Sequence, residues 1–218
     1  MSKSWTRWLP LTGVVFVILL LVSIFLPGSL PNGDASGAIV ISYAKANQNR
    51  LTVSAIIIGF SLFFALVFYG QLRALLRSVP ANEALATISF GGAVLFAAGG
   101  GVTAGAQLAL ADSPGALESG AAQALNMQLR DMALVLFAGL GVLLFAAGLA
   151  IVRSRILTAW LGWAGIVLGA VTVAGAVPLG ASVLLLGAVW TVATSIIMTL
   201  HADAVETSPA SSPTSAMA

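Results

Sequence analysis

The 218-residue chain contains no cysteine, which excludes disulfides, thiolate metal sites and cysteine nucleophiles together. Charge is almost as scarce: Asp, Glu, Lys and Arg make up 7% of the residues, against roughly 25% in a soluble domain. So few charges cannot cover a water-solvated surface. With 59% hydrophobic residues and a mean hydropathy of +1.05, the solvent for most of this chain must be lipid. The net charge of +2 is spread thinly, and no Lys/Arg stripe marks a nucleic-acid surface.

Catalytic patterns are missing too. There is no glycine-rich phosphate loop with lysine, no serine elbow and no pair of catalytic carboxylates. His201, the single histidine, stands near Asp203 and Glu206, but without a second nitrogen or sulfur ligand it makes no metal site. The sequence therefore predicts no enzyme, and no catalytic, cofactor-binding or metal-binding residue.

What the chain does have is long apolar runs. A helix needs about 20 apolar residues to cross the hydrocarbon core. Six stretches meet this requirement, at 9–26, 51–69, 84–111, 132–152, 156–177 and 182–200, and none contains Asp, Glu, Lys, Arg or His. Each satisfies its own backbone hydrogen bonds as a helix. The expected fold is all-α: a polytopic transmembrane bundle of six spans, one domain over residues 1–200. Residues 201–218, small, polar and broken by proline, are expected to form a disordered cytoplasmic tail. The first run is long enough to span, and the small-residue stretch Ala35-Ser-Gly37 lies well past its end. It reads as a retained helix rather than a cleaved signal.

Basic residues set the orientation. With the amino terminus inside, the cytoplasmic segments hold Lys3, Arg7, Arg73, Arg77, Arg153 and Arg155, and the outer ones Lys45, Arg50 and Arg130. This asymmetry in short loops places both termini in the cytoplasm. Between Tyr43 and Arg77 no proline interrupts the chain, and Gly59 and Gly70 are the obvious weak points. A continuous helix there would be about 50 Å long and would protrude from a ~30 Å core. Ala121–Arg130 is expected to extend the fourth span outward after a break at Ser113-Pro114-Gly115. The loop from Pro27 to Gly37 is expected to be irregular and exposed.

Glycine is the most distinctive feature. Gly101-Val-Thr-Ala-Gly105 and Gly165-Ile-Val-Leu-Gly169 each place two glycines on one helix face. Such rows let backbones approach closely. Packing within the chain is the leading reading, and a dimer seam is the alternative. Gly99-Gly100-Gly101 is expected to permit a bend or an unwound turn. Polar residues inside the spans are few: Ser54, Ser61, Thr87, Ser89, Thr103, Gln107, Thr172, Thr191, Thr194 and Ser195. Gln107 is the costliest to bury. It either bonds another helix or lines a small-molecule cavity. An outer cluster of Tyr43, Lys45, Asn47, Asn49, Arg50, Asp112, Arg130 and Asp131 could pair Arg50 or Arg130 with Asp112 or Asp131.

Three pieces carry a resemblance: Trp8-Leu-Pro-Leu-Thr-Gly13, the run from Tyr43 to Asn49-Arg50, and Ala159-Trp160-Leu-Gly-Trp163 after the Arg153/Arg155 turn. In their order the chain resembles a family of uncharacterised actinobacterial multi-span integral membrane proteins. The resemblance implies a bacterial cytoplasmic-membrane protein and supplies no activity or site residues. Because the spans lack ionisable groups, the first expected function is structural or regulatory, through helix–helix contacts with a membrane partner or a second copy. The alternative is a small transporter or channel for a neutral or lipid-like solute, since proton and ion pathways ordinarily need intramembrane charge.

Overall fold

The structure, a computed structural model, describes residues 8–112, 114–174 and 176–207. It is all-helical, with no strand among the described residues. A 3-10 turn at Leu9–Leu11 leads into α1 (Thr12–Phe25), followed by α2 (Gly37–Arg77), a second 3-10 turn (Pro80–Asn82), α3 (Glu83–Asp112), α4 (Ser119–Ser154), α5 (Ala159–Ala174) and α6 (Ala176–Thr207). Each helix packs against its successor, as short connections require. Helix α6 also packs on α1 and α4, closing the bundle around α4.

Four helices are long and apolar enough to cross a membrane: Gly37–Arg77, Pro80–Asp112, Ser119–Ser154 and the Ser182–Leu200 part of α6. The apolar stretches Leu9–Phe25 and Ala159–Ala174 are shorter, about 24–26 Å at 1.5 Å per residue. Helix length therefore supports four spans directly, rather than the six expected.

Several boundaries differ from those expected, some for a local reason. The long second helix exists, but it kinks at Asn47 (φ −120°, ψ 18°) and not at Gly59 or Gly70. Asn47 Nδ2 donates to the Tyr43 carbonyl at 3.0 Å, the acceptor its own backbone N–H would use in an unbroken helix. Helix α3 is continuous through Gly99–Gly101, without the unwound turn that these glycines were expected to permit as an alternative to a bend. Helix α5 begins at Ala159 rather than 156, because Ile156–Thr158 complete the turn that begins at Arg155, a left-handed C-cap with φ 52°. Helix α6 is described from Ala176 rather than 182. The helix also continues to Thr207, so 201–207 is helical rather than disordered. Residues 208–218, Lys3 and Arg7 lie outside the described residues.

Glycine permits the closest contacts. A methyl built on Gly92 of α3 would lie 2.5 Å from the Leu143 backbone nitrogen and 2.7 Å from the Gly139 carbonyl. One on Gly148 of α4 would lie 2.6 Å from both the Gly162 carbonyl and the Ile166 nitrogen, and one on Gly169 would lie 2.5 Å from the Phe145 nitrogen. Backbone thus packs on backbone along α3–α4 and α4–α5. Hydroxyls and amides tie the helices further. Ser89 donates to the Leu143 carbonyl (3.2 Å), Asn82 to Ala150 (3.1 Å), Trp190 to Leu161 (2.9 Å) and Ser195 to Pro10. These bonds pair groups that lipid could not satisfy.

Candidate functional site

The core is closed tightly in one half of the bundle and open in the other. Phe16, Phe68, Tyr69 and Phe96 form an aromatic plug with edge-to-face contacts, centroids 5.0–6.2 Å apart. Tyr69 Oη lies 2.9 Å from Thr191 Oγ1, and Thr191 donates its own proton to the Gly187 carbonyl, so the phenol is the donor that ties α2 to α6. Beyond Phe96, on the side of the α1–α2 loop, lies a cavity of about 220 Å³. Its walls come from five helices: Leu20, Ser23 and Ile24 of α1, Ile58 and Leu62 of α2, Phe96 to Gln107 of α3, Leu129 to Phe137 of α4, and Leu184 of α6. Every side chain lining it is uncharged.

The roof is the connection between α1 and α2. Pro27, Gly28 and Leu30 line the cavity. Gly28 has φ +73°, a conformation that ordinary side chains rarely adopt, and it turns the chain inward. Among the described contacts, two side chains hold this roof. Tyr43 Oη donates to the Pro27 carbonyl at 2.8 Å, and Asn126 Nδ2 donates to the Asn32 carbonyl at 2.9 Å. The loop expected to be simply irregular and exposed is a fastened cover.

Gln107 is the polar focus of the site. It is 6% exposed and borders the cavity. Ser54 Oγ sits 2.8 Å from the Ser23 carbonyl and 3.0 Å from the Gln107 Oε1 position. Pro27 occupies the place whose N–H would normally bond Ser23 O, so that carbonyl depends on the Ser54 proton. A hydroxyl has one proton to give. The Gln107 amide, which fits equally well turned end for end, can therefore donate to Ser54 Oγ. In either setting the other end of the amide has no hydrogen-bond partner among the described residues. Ser23 and Thr103, the neighbouring hydroxyls, donate to their own helix at Leu20 O (2.7 Å) and Gly99 O (3.0 Å).

The remaining sequence candidates fall elsewhere. Arg50, Asp112 and Asp131 are all exposed, and among the described residues no ion pair joins them. The side chains of Arg130, His201, Asp203 and Glu206 lie outside the described residues. An ion pair does form at the opposite end, Arg77–Glu83 at 2.8 Å between exposed side chains, a contact contributing about 0–1 kcal/mol at most. Gly165 and Gly169 pack within the chain against α4, whereas methyls on Gly101 and Gly105 would meet nothing within 4 Å. One row is thus an internal seam and the other faces outward.

Sequence reasoning missed Asn126 and Asn82, both buried. The signal for Asn126 was its register: Ala122 and Leu129, four residues before and three after, are buried on the same helix face. No protein-family model, no curated protein and no solved structure matches the chain.

Proposed function

We propose that the chain is a six-span protein of a bacterial cytoplasmic membrane, with both ends in the cytoplasm, that binds a small neutral, lipid-like solute beneath the α1–α2 loop. The observation that carries this reading is the uncharged cavity of about 220 Å³ with a buried, partly unsatisfied amide on its wall. A closed packing defect would not need a fastened roof, and ligand pockets are typically apolar with a few placed polar groups. The aromatic plug blocks passage toward the other end, so the conformation described holds a solute rather than conducting one. The six-span count rests on charge placement together with the alternation of consecutive packed helices. The resemblance to actinobacterial multi-span proteins supports the same location.

The test is chemical extraction of protein purified in mild detergent, followed by mass spectrometry. The wild-type chain is expected to carry a neutral amphiphile, and Ile24→Trp, which fills the rim of the cavity, is expected to lose most of it. Equal amounts from both proteins, or none from either, would contradict the proposal.

A structural or regulatory role through helix contacts is favoured by a separate observation. Gly91, Ala98, Gly101 and Gly105 form an outward face on α3, open to another helix. On that reading, Gly105→Cys crosslinks to a second copy in native membranes, and Gly101→Ile prevents it.

A further inference from the structure

The cavity has a chemical polarity as well as a size. Its lining has no Lys, Arg, Asp or Glu, so a carboxylate, phosphate or amine would enter without a counter-charge, which burial strongly disfavours. The hydroxyl protons around it are already committed. Ser23 gives its proton to Leu20 O, Thr103 to Gly99 O, and Ser54 to the Ser23 carbonyl that Pro27 leaves without a helical donor. Among the described residues, one end of the Gln107 amide has no hydrogen-bond partner, and the side chain is more than nine-tenths buried; the Ser23 and Thr103 hydroxyls can still accept but have no proton left to give.

Gln107, Thr103 and Gly100 recur at spacings of four and three, which puts them on one face of α3. Phe96 continues that wall one turn further on, about 16 Å along the axis from Gln107 at 1.5 Å per residue. Gly100 matters here because a methyl on it would lie 2.9 Å from the Leu62 side chain, narrowing the wall where the cavity passes. The space is thus long and mostly apolar, with its polar groups, Ser23, Thr103 and Gln107, toward the end nearest the roof. It exceeds the roughly 150 Å³ that accommodates one benzene ring in an apolar protein cavity.

Resting on the solute-binding reading above, we infer that the ligand is a neutral amphiphile with a single terminal hydroxyl, which bonds the free end of the Gln107 amide while its apolar chain lies along α3 toward Phe96. The rim supports entry from the bilayer, since Ile24 and Leu30 are exposed apolar residues beside the opening. A fatty alcohol has this chemistry. A fatty acid at neutral pH and an alkane do not.

Decan-1-ol and undecane, matched in non-hydrogen atoms, test the inference against the full chain in phosphatidylcholine nanodiscs. Binding is read by saturation-transfer NMR, with affinities expressed per mole of lipid and empty nanodiscs as the blank. The alcohol is expected to bind about 5- to 10-fold more tightly, the equivalent of one net hydrogen bond. Gln107→Leu should bring the two probes to equal affinity. Equal affinity in the unmodified chain, which needs no variant to be folded, would overturn the inference and leave the cavity's role standing. Discrimination that persists in Gln107→Leu would also overturn it. If neither probe binds, the solute-binding reading itself falls.

Discussion

At the scale of the residue, the fold depends on which glycines face another backbone. Gly92 and Gly148 leave no room for a methyl group, whereas Gly101 and Gly105 meet open space. Alanine at Gly92 or Gly148 must push two helices apart and is expected to destabilise by about 1–3 kcal/mol, the usual range for overpacking. Alanine at Gly101 or Gly105 is expected to be neutral or slightly stabilising, because Ala is the better helix former. Thermal unfolding in one detergent, comparing the four variants, checks this. Their spacing was legible in the sequence, but their facing was not. In water a helix declares its inner face by polarity; in lipid both faces are apolar, so Gly101 and Gly165 read alike. Polar residues were more informative. Gln107 was expected to bond another helix or line a cavity, and the structure places it against Ser54 on the cavity wall; of the other polar residues named in the spans, Ser54, Ser89 and Ser195 also bond across helices, whereas Thr103 and Thr194 bond within their own.

At the scale of the element, the α1–α2 connection is the least expected piece. Its Pro and Gly residues predict an irregular loop, and they gave no sign that Tyr43 and Asn126 reach it from two different helices. Such contacts are long-range in sequence, across 94 residues for Asn126 and Asn32, so no local pattern encodes them. Removing both donors with Tyr43→Phe and Asn126→Leu should unfasten the roof without unfolding the bundle. Hydrogen exchange of the backbone amides from Gly28 to Ala35 is expected to quicken about tenfold, consistent with the loss of one to two net hydrogen bonds. Unchanged exchange would show that these bonds do not hold the loop. The kink in α2 has a similar origin. Asn47→Ala restores the ordinary i to i−4 bond to the Tyr43 carbonyl and should straighten the helix, which the distance between spin labels at Ala38 and Phe60 would report. Arg155 gives the converse case: it holds a left-handed C-cap, so Arg155→Gly is expected to stabilise by about 1 kcal/mol, measured by thermal unfolding.

At the scale of the whole molecule, apolar composition and basic-residue placement made an all-helical membrane-type bundle legible before any coordinates. Helix ends were less legible, because propensity changes little where a span leaves the lipid. Helices α2, α3 and α4 continue past the expected spans at one end and pack on one another through Val40, Ala44, Leu51, Leu110, Ala122 and Leu129, a small second core that begins at the span ends and reaches beyond them. The two short helices, Leu9–Phe25 and Ala159–Ala174, determine whether the chain crosses four or six times. Each is a few ångströms shorter than the core, a mismatch that membranes accommodate by local thinning at a modest cost.

The absence of native cysteine makes the deciding experiment direct. Single cysteines at Asp34, Glu118, Gly175, Arg77 and Arg155 can be probed with a membrane-impermeant maleimide on intact and on opened bacterial cells expressing the full chain. The account predicts labelling of positions 34, 118 and 175 in intact cells, and labelling of 77 and 155 only after the cells are opened. Labelling of Arg77→Cys or Arg155→Cys from outside would contradict the orientation, and a Gly175→Cys chain labelled only in opened cells would contradict the six-span bundle.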